Sequence, residues 1–438
     1  MTTATTDPVR QFREAIQRRD AAAVRSVLSQ HEEARAAVNE PIFSFDSPAL
    51  AHVAGSGGED LVRALLEFGA DPNRRTSWWA GGFHPLHGAG PAESALLLAA
   101  GAVPDACAAA HLDRPDLLRD IIEADPAAVH QRGGDGQTPL HFARSRAVVD
   151  LLLEHGADID ARDIDHRATP AQWMLGSRKG AGRYDLARYL VERGATADIF
   201  LAAALGLTER LRALVAADPS LLDLQTTRGE YGEKPPSSFH IYMWTIGPNM
   251  SPVQVAAQFE QDEAVDVLLD GASPRQRFLA ACMRGRTEEA RAILREQPSI
   301  LDSLTRDDRR ALPDAGWTGN AAAVETMLAL GFDPAAQGHD GGTVLHCAAW
   351  QGSADAVRAI LGYAAGRALI GTPDPTYGST PLGWCCNGAE FCGDPRADHV
   401  AVARLLFAAG ADPGPLQNAP QRIRAILEQR TGQGQGHV

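Results

Sequence analysis

One stretch in the first half of the chain constrains the fold more than any other. Residues 138–143 read Thr-Pro-Leu-His-Phe-Ala, and an apolar helical pattern follows at 148–153. Pro139 suits the first turn of a helix, because the N–H that it lacks would have no partner there. Gly156 stands where a second helix must end, since glycine tolerates the left-handed C-terminal position. The apolar face of so short a helix pair cannot be buried alone, so the unit needs copies of itself on both sides.

Copies of both ends of this unit occur along the chain. The Gly-Ala-Asp ending of the second helix recurs, in full or weaker form, at Gly69, Gly194, Gly271, Gly331 and Gly410. The Thr-Pro-Leu-His beginning recurs, more or less closely, at His84, Thr169, Ser251, Thr343 and Thr380. Matches at near-regular intervals are the pattern of a repeat protein, which grows by adding units rather than by enlarging one core.

These motifs resemble the ankyrin repeat, whose signature is T-P-L-H-x-A over about 33 residues, and the chain is similar to multi-repeat ankyrin proteins of the bacterial type. The resemblance covers nearly the whole chain and implies an all-α fold, an ankyrin-repeat solenoid of about a dozen helix-turn-helix units. We expect a single solenoid over residues 1–438, divided into an N-terminal cap-like unit (1–41), the repeats (42–420), and a C-terminal cap helix with a disordered tail (421–438).

The composition indicates the cellular compartment of the protein and the classes of partner that it does not bind. Six cysteines in 438 residues do not make a disulfide framework, which favours a reducing compartment. A net charge of −14 disfavours nucleic acid as a partner. The N-terminus lacks the basic and apolar regions of a signal peptide, and no apolar run is long enough to span a membrane. We therefore expect a cytoplasmic protein that binds neither nucleic acid nor membrane and acts as a monomer.

The main interruption of the repeat pattern lies at residues 226–249. Insertions into repeats form loops on one face, which is often the binding face. From Phe239 to Ile246 the residues alternate in a way that predicts a short extended segment.

All seven tryptophans fall near the first helix of a unit, its preceding segment or its following turn. Since tryptophans that only fill a core should not avoid the second helices, we predict an aromatic groove on the concave face. His52 occupies an equivalent groove-facing position. The predicted binding residues are His52, Trp78, Trp79, Trp173, Trp244, Trp317, Trp350 and Trp384.

Several polar residues are candidates for chemistry. The resemblance gives His87, His141 and His346 a structural role, bonding the backbone of a neighbouring repeat. His84 and His240 lie outside that position and are therefore candidates for acid–base chemistry or ligand binding, together with Tyr242 and Asp314. Whether the protein is an enzyme stays open, because no G-x-S-x-G, P-loop or dinucleotide-binding motif is present.

A cysteine-rich stretch near the C-terminus raises the question of a metal. Cys385, Cys386, Cys392 and His399 lie close in sequence, but adjacent cysteines without a C-x-x-C pair are poor zinc ligands, and buried structural thiols explain them better. We expect no metal and no cofactor.

Two functions are compatible with these observations. The first is a binding protein that holds a protein or peptide partner in the aromatic groove. The alternative is a small-molecule-binding or catalytic pocket, formed where the 226–249 segment folds over the concave face.

Overall fold

A computed structural model describes residues 7–56, 58–177, 179–180, 182–270, 272–338, 340–412 and 423. This part of the chain is built from helices and turns, and its only β-type pairing consists of isolated bridges. The predicted all-α class is therefore confirmed. Within the same residues, no helix has the length and apolar character needed to cross a bilayer. Apart from position 423, the predicted C-terminal cap helix and tail lie outside the described residues.

The chain divides into two compact units. Unit 1 comprises Met1–Gly176, Gly180–Thr196 and Glu230–Thr245, and unit 2 comprises Ser177–Lys179, Ala197–Gly229 and Ile246–Val438. The single solenoid over 1–438 stays a prediction.

Unit 1 consists of short helices joined by turns. Its α-helices are Pro8–Gln17, Ala21–Gln30, Glu32–Ala36, Ala49–Val53, Glu59–Glu67, Pro91–Ala99, Ala106–His111, Pro115–Ala124, Pro139–Phe142, Arg146–Glu154, Pro170–Trp173, Tyr184–Glu192 and Tyr242–Thr245. Short 3₁₀ helices are found at Ser44–Asp46, Pro85–His87, Pro126–His130 and Gly134–Gly136.

Unit 2 continues the same alternation of first and second helices. Its α-helices are Ile199–Leu205, Thr208–Ala217, Pro252–Gln258, Asp262–Leu269, Pro274–Met283, Thr287–Glu296, Ile300–Ser303, Arg306–Arg309, Ala311–Trp317, Ala321–Ala329, Val344–Trp350, Ala354–Gly362, Ala364–Arg367, Pro381–Phe391 and His399–Ala408. A 3₁₀ helix spans Pro219–Asp223, and another, Gly229–Tyr231, lies where the chain passes between the two units.

Where it occurs, the Thr-Pro-Leu-His signature begins a first helix with a side-chain cap. The backbone N–H of Thr138 donates to His141 Nδ1 at 3.0 Å, and the Thr138 hydroxyl lies 2.9 Å from the same nitrogen. Gln172 replaces the histidine one repeat later, and its Oε1 accepts from the N–H of Thr169 at 2.7 Å. Either side chain therefore satisfies a donor that the start of a helix would leave without a partner.

Five of the glycines that end the second helices adopt the left-handed conformation that the sequence predicted: Gly69, Gly156, Gly194, Gly331 and Gly410. Gly271 lies outside the described residues. Gly156 has φ of +86°, a value that costs any residue with a Cβ atom energy. Between the repeats the first helices are lined by small residues; every residue of Ala106–Ala110 is buried. Small side chains permit helices to stack closely, so the core is a series of thin layers rather than one centre.

The 226–249 segment folds back on itself. The backbone N–H of Thr226 donates to the carbonyl of Met250 at 3.1 Å, and the Thr226 hydroxyl donates to the carbonyl of Gly247. The extended conformation predicted for 239–246 is wrong, because Tyr242–Thr245 forms one helical turn. Tyr242 is fully buried there, so local packing overrides the alternating pattern.

Candidate functional site

We call the turn before each first helix a finger. The fingers of unit 1 carry exposed aromatic side chains. Phe45, in the left-handed region with φ of +59°, is 52% exposed and packs edge-on against Trp78 with 5.0 Å between ring centroids. Trp79 is 45% exposed and lies 6.1 Å from Trp78. Phe83 completes this aromatic group at 6.2 Å from Phe45.

A second aromatic group in unit 1 surrounds His166. The ring of His166 lies between Trp173, at 5.2 Å, and Trp244, at 4.8 Å, both edge-on. Trp244 comes from the 226–249 segment and is 54% exposed, whereas Trp173 is half-buried. His166 Nδ1 donates to the carbonyl of Phe239 at 2.9 Å, so the segment both covers and orients the imidazole.

Three buried carboxylates adjoin that imidazole, and with it they form what we call the His166 cluster: Asp135, Asp163, Asp165 and His166. His166 Nε2 lies 3.9 Å from Asp135 Oδ2 and 3.8 Å from Asp165 Oδ2. Asp163 accepts the backbone N–H groups of His166 and Ala168 and thereby fixes the finger.

Asp135 is the least satisfied member of the His166 cluster. Burial raises the pKa of Asp135 to about 7, reinforced by the neighbouring carboxylates and opposed chiefly by His166. The indole of Trp78 also lowers that pKa, although Trp78 Nε1 and Asp135 Oδ1 are both buried without a hydrogen bond of ordinary geometry. A carboxylate in this state is costly to ionise unless a cation or a donor reaches it.

Unit 2 carries the remaining three tryptophans as one group. Trp317 and Trp350 stack face to face at 4.4 Å with 6° between the ring planes, and both are half-buried. Trp384 meets Trp317 edge-on at 6.3 Å and is only 6% exposed, with its indole N–H donating to Asp374 at 2.9 Å. This last ring is therefore a core side chain in contact with a more open pair.

The candidate acid–base residues of unit 1 are buried and neutral. Burial lowers the pKa of His240 to about 3 and that of His84 to about 4. Each Nδ1 accepts a backbone N–H two residues later, from Tyr242 and from Leu86 respectively. Tyr242 is itself fully buried, 4.5 Å from the ring of His240.

The remaining two predicted residues differ in character. His52 is half-buried and stacks on Phe43 at 4.6 Å, and burial lowers its pKa. Asp314 belongs to unit 2, on the helix Ala311–Trp317, and burial raises its pKa to about 8, with Arg310 opposing. Asp314 is therefore a proton-bearing group one helical turn from Trp317.

Two groups of side chains have the residue types of metal ligands. His87, Asp105 and Cys107 lie within 4.8 Å of one another, the one such group in the part of the chain that the structure describes. Burial alone would raise the pKa of Asp105, but hydrogen bonds from His87 and Ala108 hold it well below its usual range. Arg75 also forms an ion pair with Asp105. The same carboxylate caps the helix Ala106–His111, so its oxygens already have partners within the protein.

The cysteine-rich stretch makes separate structural contacts instead of converging. Cys385 Sγ donates to the carbonyl of His399, while His399 Nε2 donates to the carbonyl of Trp350 at 2.8 Å. Cys392 Sγ lies against Gln351. These contacts agree with the interpretation of these residues as structural thiols.

Sequence reasoning missed the His166 cluster, although a signal for it exists. Asp135 and His166 each stand three residues before the threonine that begins a first helix, Thr138 and Thr169. Equivalent positions in the fingers of neighbouring repeats lie side by side, so this shared position places Asp135 next to His166.

Parts of the chain are similar in sequence to a known family and to known proteins. A family model described as Ankyrin repeat matches residues 135–164, which include the Thr-Pro-Leu-His signature and Asp135. The serine/threonine-protein kinase VIK of Arabidopsis thaliana is 40% identical over 73 residues, 16% of each chain. Ankyrin repeat and SAM domain-containing protein 6 of Mus musculus is 29% identical over 146 residues, 30% of this chain and 16% of that protein.

A third relative is matched over most of its length. Cyclin-dependent kinase 4 inhibitor B of Bos taurus is 34% identical over 109 residues, 24% of this chain and 82% of the inhibitor. The chain spans only 16% of the length of each of the first two relatives. The chain therefore belongs to the ankyrin repeat family, as its repeated signature, the helix pairs that follow it and these matches show.

Proposed function

We propose that this protein binds a protein or peptide partner through the fingers and first helices of its repeats, as an ankyrin-repeat solenoid of about a dozen units. A protein–protein role is what ankyrin repeats suggest, and one relative is named as an inhibitor of a kinase. In this proposal the predicted aromatic groove supplies the contacts. Its seven tryptophans fall into the three aromatic groups described above, and His52 stacks on Phe43 apart from them.

The exposed apolar surface of unit 1 carries the proposal. Phe45, Trp79, Ile164 and Trp244 are each between 43% and 54% exposed. They are linked through packed neighbours, since Phe83 meets Gly134 and Ile164 meets Gly136 so closely that neither glycine has room for a Cβ atom. Clustered exposed aromatic side chains mark interaction sites, because water contact with them is costly.

The surface has the composition of an interface core with a polar border. Aromatic anchors supply most of the binding energy at such sites, and charged groups around them set specificity. Here the border is acidic at the His166 cluster, in a chain with a net charge of −14. A partner segment with apolar and basic side chains has the complementary chemistry.

A small-molecule or catalytic pocket is the second candidate, and one observation favours it. The 226–249 segment brings Phe239 and Trp244 onto His166 and Trp173, so an imidazole, carboxylates and indoles are held together. The predicted acid–base residues His84, His240 and Tyr242 are buried in structural contacts of their own. A pocket would therefore have to use His166 in their place.

We further propose that the protein acts as a monomer in the cytoplasm and binds neither nucleic acid nor membrane. The acidic charge and the six cysteines support this proposal. A bacterial origin of the chain stays a prediction of the resemblance.

Selection from a random 15-residue peptide library on the immobilised full chain tests partner binding. We expect enriched peptides that combine aromatic or aliphatic residues with lysine or arginine, and micromolar affinity for synthetic copies by calorimetry. Trp79→Ala and Trp244→Ala should each weaken binding at least tenfold. Leu98→Ala is the matched control, because Leu98 is an exposed apolar residue on the second helix Pro91–Ala99.

Two results would contradict the proposal. The first is the absence of any enriched peptide, and the second is equal loss of affinity in Leu98→Ala. A small-molecule screen by tryptophan fluorescence on the same protein tests the second candidate: a saturable response to a low-mass compound that is lost in His166→Gln would favour the pocket.

A further inference from the structure

We propose that unit 2 carries a second docking surface, for an amphipathic helix of a partner protein with basic side chains along both edges of its apolar face. The surface is a cleft lined chiefly by three second helices, Thr208–Ala217, Asp262–Leu269 and Thr287–Glu296. The cleft shares no residue with the aromatic groups or the His166 cluster, so this proposal is independent of the proposed function.

The floor of the cleft is apolar. Side chains from all three helices form it, and each is half-buried: Val215, Val267, Leu269, Ala292 and Ile293. The cleft has a volume of about 1000 Å³ and is open to solvent. Sites for small molecules measure about 300–1,000 Å³ and enclose most of their ligand, so an open cleft of this size suits a row of side chains from one segment better.

Carboxylates border this floor. Five of them line the cleft: Glu263, Asp266, Asp270, Glu289 and Glu296. Asp266 lies 4.0 Å from Arg284, and Glu289 lies 3.4 Å from Arg286, so these two already have cationic neighbours. The other three form no ion pair in the part of the chain that the structure describes.

Two arginines also line the cleft, and they do not neutralise its border. Arg212 pairs with Glu209, outside the lining. Arg277 donates to the carbonyl of Leu269 at 3.3 Å and has no carboxylate partner among the described residues. Three unpaired carboxylates against one unpaired guanidinium leave the border acidic, and lysine or arginine side chains are the complementary groups.

The walls of the cleft determine the conformation of the segment that fits it. Apart from their ends, α-helices bond their backbone N–H and C=O groups internally, so they offer no edge to an extended strand. A segment that enters the cleft must therefore satisfy its own backbone groups, as an α-helix does. Asp262–Leu269 has 8 residues and is about 12 Å long, which matches two turns of a partner helix.

Such a helix presents apolar residues three and four positions apart to the floor, and basic residues beside them to the carboxylates. A metal ion suits the cleft less well. In the described residues the side chains at metal-ligand spacing are His87, Asp105 and Cys107, none of which lines the cleft. Carboxylates spread around an apolar floor attract several cationic groups on one scaffold better than they hold a single ion.

Model peptides test the proposal on the full chain. The probe is a fluorescein-labelled, amidated 14-residue peptide of leucine and lysine, with its leucines at helical spacing. One comparison peptide has the same composition with leucine and lysine alternating, and another has glutamate in place of lysine. By fluorescence anisotropy we expect Kd of roughly 10 μM for the probe, and by difference circular dichroism a gain of helix on binding. Each comparison peptide should bind about tenfold more weakly or less.

Variants of the cleft should weaken binding of the probe. The triple variant Glu263→Gln, Asp270→Asn, Glu296→Gln removes the unpaired border charges and should raise Kd about tenfold or more. Ile293→Ser changes the floor and leaves the charge as it is, and it should raise Kd to a similar extent. Thermal unfolding by circular dichroism confirms that each variant is folded before its Kd is compared.

The matched control removes three carboxylates from second helices outside the cleft: Asp116→Asn, Glu325→Gln and Asp355→Asn. All three residues are exposed, and Asp116 and Asp355 pair with Arg114 and Arg358. Both triple variants have the same net charge, so the long-range attraction of a basic peptide is equal in the two proteins. Kd for the control should stay within about twofold of the wild type.

Four results would overturn the second docking surface: no binding of the probe, equal binding of the alternating peptide, equal weakening by the two triple variants, or no weakening by Ile293→Ser. Loss of probe binding in Trp79→Ala instead of the cleft variants would place the peptide on the exposed aromatic side chains of unit 1. That result would overturn the cleft and support the proposed function. Library peptides that depend on Trp79 and bind the cleft variants normally would leave the proposed function standing, whatever the probe does.

Discussion

His141 Nε2 lies 3.1 Å from the carbonyl oxygen of Ala168, and its Nδ1 accepts the backbone N–H of Thr138. One imidazole therefore caps the helix of its own repeat and holds the finger of the next. Burial lowers the pKa of His141 to about 3, so the ring is neutral and has one donor and one acceptor, as these two contacts require.

His141→Ala should destabilise the protein by about 2–3 kcal/mol, because two buried hydrogen bonds are lost and their backbone partners stay buried. His141→Gln should cost less, since glutamine caps the equivalent helix at Gln172. Thermal unfolding followed by circular dichroism measures the difference. If both variants unfold at the same temperature, the contact to Ala168 dominates and the cap contributes little.

The raised pKa of Asp314 should make the free energy of unfolding fall as the pH rises. Its folded-state pKa of about 8 lies above the unfolded value near 3.9, so the folded chain keeps a proton that the unfolded chain releases. Stability from this group is present below about pH 4 and is lost as pH rises to about 8, by at most about 1.4 kcal/mol per pH unit.

Asp314→Asn cannot ionise and should lack that fall. Unfolding midpoints in urea at pH 5 and pH 8 should differ less in Asp314→Asn than in the wild type, while Asp116→Asn should behave as the wild type does. An unchanged difference in Asp314→Asn would mean that Asp314 ionises normally in the fold.

Trp317 and Trp350 should be energetically coupled. Their stacked rings contribute more together than apart, so the double alanine variant should be less destabilised than the sum of the single variants, by about 0.5–1.5 kcal/mol. Trp317→Ala combined with Arg358→Ala is the control, since Arg358 is an exposed residue paired with Asp355. Additivity of the two tryptophan substitutions would show that the stacking contributes nothing to stability.

The cysteines should react slowly. Cys107, Cys282, Cys347 and Cys385 are buried, and Cys386 and Cys392 are half-buried. Burial raises the pKa of Cys386 to about 11 and also raises that of Cys392, so little thiolate is present at pH 8. We expect a disulfide reagent to modify these two slowly in the native protein and all six in guanidinium chloride. Rapid reaction of a buried cysteine would contradict the packing around it.

The repeat pattern predicted the helices well because each signature residue acts locally. Pro139 suits the first turn, His141 caps it and Gly156 ends the helix that follows, all within one unit. The concentration of tryptophans outside the second helices also follows from position in the repeat.

The candidate site was harder to predict because it depends on contacts between distant residues. Asp135 and His166 meet only through the packing of neighbouring fingers, and Phe239 reaches His166 from a segment with no repeat signature. Tyr242–Thr245 is helical because Tyr242 is buried and the backbone N–H of Ser238 is bonded to Asp165, neither of which an alternating pattern reveals.

Phe45, Trp79 and Ile164 lie on turns outside the α-helices, with much of each side chain in water. The layers of small residues that hold the repeats together do not depend on them. Natural variation and directed evolution can therefore exchange these three side chains freely while the scaffold is inherited unchanged, so a lineage of such proteins can acquire new specificities without first acquiring spare stability.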